Sequence, residues 1–386
     1  MIILHSNFRH SNQGFHLKIQ AVARKKDLRK FIDLPYLLHK NLAHWIPPLK
    51  LDQRNIFNPK KNSLLAHCDY QLFLLYNGQE IAGRIAVYIN KTYNDHWRET
   101  TGFFGHYECI DNKEASRLLL QTAADWLGQK GMGLMRGPWN FVSQDFGFVY
   151  EGFHLEPTVL SSYNPAYYNR QMTAFGMQKA KDLLVYNCDI TKGYAIPGRF
   201  LKFTDRIAER YKVTVRSIDM KHLVRDTKII VRLSNESLSG NWGYYPIRDE
   251  EAEQIAADLK MIVHPQAVLI AEAEGEPIGY IIALPDINHL LKDLDGKLFP
   301  FGIVKLLNGI KKLRHYRIWA MGLAKAYQKK GISILLFRRL NEILAPRKAY
   351  VEANYVLEDN ILMNNALKQL EFDMVKKYRV YEKELS

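Results

Sequence analysis

The chain has few cysteines and no long apolar run. Its three cysteines, Cys68, Cys109 and Cys188, lie far apart and match no metal-binding or redox spacing, so we expect unpaired thiols in a reducing compartment. No uninterrupted run of about 18 apolar residues is present, which argues against a membrane-spanning helix. Residues 1–13 lack the basic n-region of a cleavable signal. The sequence therefore predicts a cytoplasmic protein.

Acidic residues are outnumbered by basic ones. The 54 lysines and arginines exceed the 40 aspartates and glutamates, and the formal net charge of +14 favours anionic partners such as phosphorylated cofactors, acidic lipid surfaces or nucleic acid. No repeat or helical segment concentrates aromatic and basic residues together, so we predict no nucleic-acid partner. The 13 histidines form no spaced pair, and we predict no metal.

Internal duplication is the clearest pattern that is present. Residues 72–90 form two apolar runs around an Asn-Gly turn, and residues 267–286 repeat this hairpin around a Glu-Gly-Glu-Pro turn. Gly83 and Gly279 occupy the same place in the second strand of each hairpin. Three further landmarks recur at nearly the same separation, 195 to 197 residues. Such a constant offset indicates a duplicated domain.

Each half is predicted to contain strands and helices in the order β-α-β-β-β-α-β-α-β. With 47% hydrophobic residues, the chain can bury a core in each half. We predict an α/β fold with a mixed (α+β) sheet that carries helices on both faces. The glycines and the proline of residues 191–199 mark the boundary, so the predicted domains are 1–192 and 200–386.

A basic turn joins a strand to a helix in the second half. Residues 315–324 alternate like a buried strand, and residues 332–344 carry a helical apolar stripe. A helix N-terminus presents unpaired N–H groups, Gly331 lets the backbone approach a ligand, and Lys329 and Lys330 add positive charge. This pattern is typical of a pyrophosphate site. An ordinary solvated loop stays open as the alternative, and the turn is neither a Walker loop nor a Gly-x-Gly-x-x-Gly loop.

Residues 328–333, Gln-Lys-Lys-Gly-Ile-Ser, resemble motif A of the GNAT superfamily of acyl-CoA-dependent N-acyltransferases, which reads Gln/Arg-x-x-Gly-x-Gly/Ala. The strand at 349–355 and the helix at 358–372 follow in the order of that family. The corresponding place of the first half holds Asp-Asn-Lys-Glu-Ala-Ser (111–116), so the first half resembles a GNAT domain with a degenerate cofactor loop. The resemblance therefore implies two tandem GNAT-like domains.

The resemblance also implies acyl-CoA as the co-substrate and assigns its contacts. The strand around Leu323 would pair with the pantetheine arm, and Asn360 would contact the same arm. The pyrophosphate would be held by the amides of six consecutive residues: Gln328, Lys329, Lys330, Gly331, Ile332 and Ser333. Because no cysteine lies near the motif as an acyl carrier, we predict direct attack of an amine on the thioester.

The general acid and base do not follow from the resemblance. Arg317 lies where some members of the superfamily have a glutamate base, and Leu367 lies where others place a tyrosine acid. From the residues themselves we predict Glu352, which alternates with Asn354 on a strand, as the base. We predict Tyr378 as the acid that protonates the sulfur. A surface carboxylate and a packing tyrosine are the open alternatives.

The acceptor is predicted to be an amine, carried by a small molecule or a lipid. Residues 298–315 place apolar side chains on one helical face with lysines elsewhere, which is typical of a helix lying on anionic lipid at the inner membrane face; a core-packed helix is the alternative. The whole chain resembles the tandem GNAT-type family that includes bacterial ceramide synthases, which N-acylate sphingoid bases. We therefore predict an N-acyltransferase that moves a long acyl group from CoA to a lipid or sphingoid amine. The alternative is a non-catalytic acyl-CoA or lipid sensor.

Overall fold

The computed structural model describes residues 16–141, 145–260, 262–300 and 302–385. The predicted lack of a signal concerns residues 1–13, which lie outside these ranges. No helix within the ranges is both long enough and apolar enough to cross a membrane. The three cysteines are unpaired, as predicted.

Thirteen strands are present in the described residues, and apart from the added β6 they follow the predicted order in each half. The strands are β1 (Leu17–Ala21), β2 (Cys68–Asn77), β3 (Glu80–Asn90), β4 (Thr101–Cys109), β5 (Leu134–Gly137), β6 (Phe148–Glu151), β7 (Gln178–Asp189), β8 (Val213–Ser217), β9 (Val268–Ala273), β10 (Glu276–Pro285), β11 (His315–Leu323), β12 (Tyr350–Leu357) and β13 (Asp373–Glu384).

The predicted helices are present, together with shorter ones that the prediction lacked. The helices are α1 (Lys25–Leu38), α2 (Lys50–Ile56), α3 (Ser63–His67), α4 (Lys91–Trp97), α5 (Lys113–Gln129), α6 (Tyr167–Ala174), α7 (Gly198–Tyr211), α8 (Leu223–Leu238), α9 (Asp249–Leu259), α10 (Asn288–Leu291), α11 (Gly302–Gly309), α12 (Ser333–Leu344) and α13 (Ile361–Gln369).

Both predicted hairpins form with two-residue turns. Asn77 pairs with Glu80 across the first turn, where Gly78 has a φ of 61°. The second turn has positive φ at both positions, 52° at Glu274 and 87° at Gly275. Left-handed turn residues match the twist of the flanking strands, which explains the glycine in each turn.

All thirteen strands belong to one mixed sheet. Their order is β1-β2-β3-β4-β5-β13-β7-β12-β11-β10-β9-β8, with β6 paired to β13. The first half runs outward from the centre as β5 to β1, and the second half runs outward as β12 to β8. The two central strands are exchanged, because β13 of the second half pairs with β5 and β7 of the first half pairs with β12. The predicted domain ranges, 1–192 and 200–386, therefore stay a prediction, because each half contributes its last strand to the part of the sheet that the other half forms.

Helices cover both faces of the sheet in each half. In the first half α5 buries Leu119 against one face, and α1 buries Phe31 against the other. In the second half α12 buries Leu336 on one face, and α8 buries Leu233 on the opposite face. Apolar side chains at helical spacing thus form the predicted layers around the sheet.

The strands β11 and β12 diverge, and this divergence positions the site. They pair in parallel from His315 opposite Tyr350 to Ile318 opposite Ala353. Beyond Ile318 the structure shows no further pairing between these two strands along their described length. The rest of β11, from Trp319 to its end, therefore borders a gap with a free strand edge.

Candidate active site

The basic turn lies at the open end of this gap. It runs from Leu323 to Ser333, and within it Lys329 and Gly331 have positive φ angles of 60° and 77°. No side chain caps α12, and none of the hydrogen bonds between described residues uses the N–H groups of residues 329–333. An exposed, uncapped helix N-terminus with adjacent lysines is a good anion site.

Side-chain contacts bring the predicted cofactor residues of the turn together. Gln328 donates a hydrogen bond from Nε2 to the carbonyl oxygen of Leu323 at 3.0 Å. Lys330 Nζ lies 5.3 Å from the ring centroid of Tyr211 on α7 and 5.2 Å from that of Tyr327. The turn is therefore tied to the end of β11 and flanked by two aromatic rings beside a positive charge.

Asn360 follows the end of β12 and lies at the start of α13. Its side-chain oxygen accepts a hydrogen bond from the N–H of Met363 at 3.1 Å, so this oxygen caps the helix. It lines a polar cleft together with Trp242 and Leu357. A contact between Asn360 and a pantetheine arm would therefore use the amide nitrogen.

The corresponding region of the first half is arranged differently. The helix after β4 has a capped N-terminus, because Asn112 accepts a hydrogen bond from a backbone N–H of α5 at 2.8 Å. The edge of β4 is also in use: Trp139 donates its N–H to the carbonyl of Phe104 at 2.7 Å, and His106 donates its N–H to Asn140 at 2.6 Å. In the first half, residues that follow β5 thus occupy the place where the second half has a free strand edge.

A buried polar cluster lies on the sheet face opposite α12. The predicted base Glu352 is only 2% exposed, which excludes a surface carboxylate. Lys376 Nζ lies 3.0 and 3.3 Å from its two carboxylate oxygens. The hydroxyls of Thr158 and Tyr350 donate to the same carboxylate at 3.3 and 3.2 Å. The ammonium group balances the buried charge.

Arg317 lies beside Glu352 in the register of β11 and β12 and is fully buried. It donates to the carbonyl of Val159 at 2.6 Å, and burial lowers the pKa of its guanidinium. Its Nε atom has no hydrogen-bond partner among the described residues. Further buried polar atoms around it lack partners in the same way: Trp319 Nε1, Asn354 Oδ1, Tyr355 OH and Asp145 Oδ1. Such atoms are rare in folded proteins, so this cluster fits a polar ligand in the gap.

The predicted acid Tyr378 is placed close to this cluster. Its hydroxyl donates to the carbonyl oxygen of Ser162 at 3.2 Å, and its ring centroid lies 4.8 Å from that of Tyr355. Burial raises the pKa of Tyr378 well above its ordinary value, so the hydroxyl keeps its proton at neutral pH. Leu367 is fully buried in the core under α12 and α13. The acid role of Tyr378 stays a prediction.

The first half supplies a wall of this site. Residues 156–162, the covering segment, lie over the polar cluster of the second half. Lys376 Nζ donates to the carbonyl of Glu156 at 2.6 Å. The N–H of Val159 donates to Asp286 at 2.7 Å. These contacts join the two halves at the point where the strands diverge.

Sequence reasoning missed Lys376, the ion-pair partner of Glu352. The signal was present, because Lys376, Tyr378 and Val380 alternate on β13 and all three are buried. A lysine in the apolar phase of a strand indicates either a paired charge or a functional site. It takes the tertiary structure to identify the partner, which lies on another strand.

Two bacterial proteins are similar to the chain over almost its entire length. Protein YghO of Escherichia coli (strain K12) is 31% identical over 378 residues, which cover 95% of each chain. A bacterial ceramide synthase of Caulobacter vibrioides is 30% identical over 381 residues, which cover 96% of this chain and 98% of the relative. The chain belongs to the family of this ceramide synthase. No protein-family model matches the chain.

Two solved structures share the fold of this chain. A tandem GNAT protein from the clavulanic acid biosynthesis pathway is 11% identical, with a TM-score of 0.55, and the match covers 96% of this chain and 99% of that one. A GCN5-related N-acetyltransferase from Sphaerobacter thermophilus is 12% identical, with a TM-score of 0.54 and 96% of both chains covered. The predicted fold class and the predicted N-acyltransferase family of tandem GNAT type are confirmed, whereas the degenerate cofactor loop of the first half stays a prediction.

Proposed function

We propose that the protein is an acyl-CoA-dependent N-acyltransferase whose second half binds the CoA thioester. One observation carries this proposal. The free N-terminus of α12 lies at the mouth of a gap whose walls hold buried polar atoms without a partner among the described residues. The first half has a capped helix and a filled strand edge at the corresponding place. Within the part of the chain that the structure describes, only the second half therefore combines an anion site with a polar channel.

The elements of the second half suggest how CoA would lie. The pyrophosphate would bind the N–H groups of residues 329–333 and the ammonium groups of Lys329 and Lys330. The pantetheine arm would follow the free edge of β11 from Leu323 toward Trp319 and bond to it as an added strand does. The thioester would then lie near the point where β11 and β12 separate, beside the buried cluster.

The cluster contains groups for each step of acyl transfer. The amine nitrogen attacks the thioester carbonyl carbon, a C–N bond forms, and Glu352 accepts the proton that the nitrogen loses. The oxyanion that develops would be stabilised by two unpaired donors, Nε–H of Arg317 and Nε1–H of Trp319. The C–S bond then breaks, and the leaving thiolate takes up a proton, for which we propose Tyr378. The products are an amide and free CoA.

We propose a lipid amine as the acceptor and a long acyl chain as the group transferred. The relative named ceramide synthase supports this choice. So does the surface of α11 and the residues before it, where Phe299 is 68%, Val304 55% and Leu307 52% exposed. Four lysines lie near these side chains in the sequence: Lys297, Lys305, which pairs with Asp293, Lys311 and Lys312. Exposed apolar groups in a lysine-rich segment complement an anionic lipid surface.

Thiol release from a long-chain acyl-CoA in the presence of a sphingoid base tests the function. Reversing charge in Lys329→Glu/Lys330→Glu is expected to weaken CoA binding about 30-fold or more, since two cations beside a diphosphate become anions. The matched control is Lys25→Glu/Lys26→Glu, an exposed lysine pair at the start of α1, and it should bind CoA normally. Glu352→Gln should bind CoA normally and release thiol about 100-fold more slowly.

The outcomes separate the proposal from its alternative. CoA binding without thiol release for any amine would favour a sensor over an enzyme. If the Lys329→Glu/Lys330→Glu variant binds CoA as tightly as the control, the cofactor site is wrong. If Glu352→Gln keeps full activity, the base is wrong although the enzyme class stands.

A further inference from the structure

Three side chains of metal-ligand type meet at one end of the second half. Asp286 follows β10, His289 lies in the short helix α10, and His315 begins β11. The N–H of Asp286 donates to the carbonyl of His315 at 2.8 Å, so the two residues are neighbours across the sheet. One ligand atom from each of the three residues lies within 4.8 Å of the others. His289 Nε2 is 3.6 Å from Asp286 Oδ2, and the two imidazole centroids are 4.2 Å apart.

Among the described residues, hydrogen bonds reach only one oxygen of the Asp286 carboxylate. It is 3% exposed, and both hydrogen bonds that it receives, from the N–H groups of Val159 and Asn288, end on Oδ1. Oδ2 is directed at His289, beyond hydrogen-bond distance. In the described part of the chain no lysine or arginine pairs with Asp286, and the nearby Lys292 pairs with Glu156. A buried carboxylate normally has a cationic partner.

We propose that Asp286, His289 and His315 bind one divalent transition-metal ion of the zinc class. Two imidazoles and one carboxylate form a ligand set that zinc and its first-row neighbours accept, with at least one coordination position left open. The sequence predicted no metal because these three residues show no spacing that marks them together.

The geometry requires only a small adjustment to close around an ion. Ligand atoms about 2.1 Å from one metal lie at most about 4 Å apart. The present spread of up to 4.8 Å therefore has to shrink by less than the length of one bond. The side chain of His289 is 37% exposed and lies on a helix of one turn, so it can rotate inward. Hydrogen bonds from the rest of the chain already fix the orientation of the Asp286 carboxylate, as such bonds commonly do for metal ligands.

A bound ion would connect to the site described above through two contacts. Asp286 holds the N–H of Val159, which lies in the covering segment. The ring of His315 packs against Tyr350 with centroids 5.0 Å apart, and the hydroxyl of Tyr350 donates to Glu352. The ion would therefore hold the covering segment and the proposed base in place, which is a positioning role.

Metal binding by the full-length protein, purified without a histidine tag and stripped with EDTA, tests the site directly. Calorimetric titration with Zn²⁺ is expected to show one equivalent bound, and Co²⁺ should give visible absorption from nitrogen and oxygen ligands. His289→Ala and His315→Ala should each weaken Zn²⁺ binding at least about tenfold. The matched control is His222→Ala, an exposed histidine paired with Asp219 outside the cluster, and it should bind Zn²⁺ as the native chain does.

A second measurement, of the melting temperature, distinguishes a loss of metal binding from a loss of folding. The melting temperature of the native chain should rise with Zn²⁺, because a ligand bound only by the folded state stabilises it. In the metal-free state Asp286→Asn should remain folded and show no such rise. Absence of Zn²⁺ binding to the stripped native chain would overturn the proposal. Unchanged stoichiometry and affinity in both histidine variants would overturn it equally, and neither result depends on acyl transfer.

Discussion

Lys376 and Glu352 form an ion pair in which the side chains are only 2% and 3% exposed. Burying such a pair gains little net free energy, because desolvation offsets most of the attraction. Removing one partner is costly, because it leaves an uncompensated charge in the interior. We therefore propose that the pair serves the chemistry of the site more than stability, and this yields a test on single residues.

We predict that Lys376→Met lowers the free energy of unfolding by about 3 kcal/mol, because Glu352 would lose its counterion. The double variant Glu352→Gln/Lys376→Met should be less destabilised than Lys376→Met alone. The adjacent Lys377→Met is the control: Lys377 pairs with the half-exposed Glu151, and its loss should cost less than about 1 kcal/mol. Urea denaturation measures all three. Equal losses for Lys376→Met and Lys377→Met would contradict the argument.

At the scale of one element, α11 differs from its prediction in an informative way. The sequence predicted a single apolar face along 298–315, but the helix ends at Gly309 and a short 3-10 turn follows. Gly309 lies against Leu290, where a Cβ would come within 2.6 Å of a side-chain carbon. The apolar residues are divided between two environments: Leu306 packs inward, whereas Leu307 is exposed. Part of the segment is core-packed and part faces solvent.

We predict that the exposed part binds anionic membranes. The native chain should sediment with vesicles that contain phosphatidylglycerol and much less with vesicles of phosphatidylcholine, since lysines flank the apolar side chains. Val304→Ser/Leu307→Ser should weaken this binding about tenfold by removing apolar area from the contact. The control Leu201→Ser/Phe203→Ser changes exposed apolar side chains of α7 instead, and should bind as the native chain does. Equal vesicle binding by both double variants would reject this surface.

At the scale of the whole molecule, the exchange of β7 and β13 makes the halves interdependent. Each half has the composition and the hydrophobic core of a domain, but its sheet is completed by a strand of the other half. The covering segment adds a second connection, because it belongs to the first half and closes the site of the second. A site at this junction requires both halves, even if only one binds the cofactor.

We predict that residues 1–192 and 200–386, expressed separately, do not unfold cooperatively. In each fragment the exchanged strand, β7 or β13, would lose its partners from the other half. The strand β5 or β12, which pairs with a strand of the other half in the intact chain, would also be left with an unpaired edge. Co-expressed, the two fragments should purify as a one-to-one complex with circular dichroism like that of the intact chain, since the break removes only residues 193–199, which comprise the connection before α7 and the first two residues of that helix. Denaturation curves of the fragments check this. A single fragment with a cooperative transition would show that the exchange is dispensable.

The order of strands and helices, both hairpin turns and the basic turn before α12 could be read from the sequence. These features depend on periodicity, turn residues and helix ends, which act over a few neighbouring residues. The same short-range signals carry the resemblance to motif A. The internal duplication could also be predicted without the structure, because two similar segments can be recognised whatever their separation along the chain.

Partners across long distances were decided by the tertiary structure alone. The exchange of β7 and β13 depends on which strand edges meet when the sheet closes, and no local pattern encodes that choice. Lys376 and Glu352 lie on β13 and β12, which β7 separates in the sheet, so their contact depends on the strand order and not on a local pattern. Asp286 and His315 become neighbours only when β10 pairs with β11. Such contacts gain free energy only after the chain between them is ordered, so the chemistry of the site emerges with the fold.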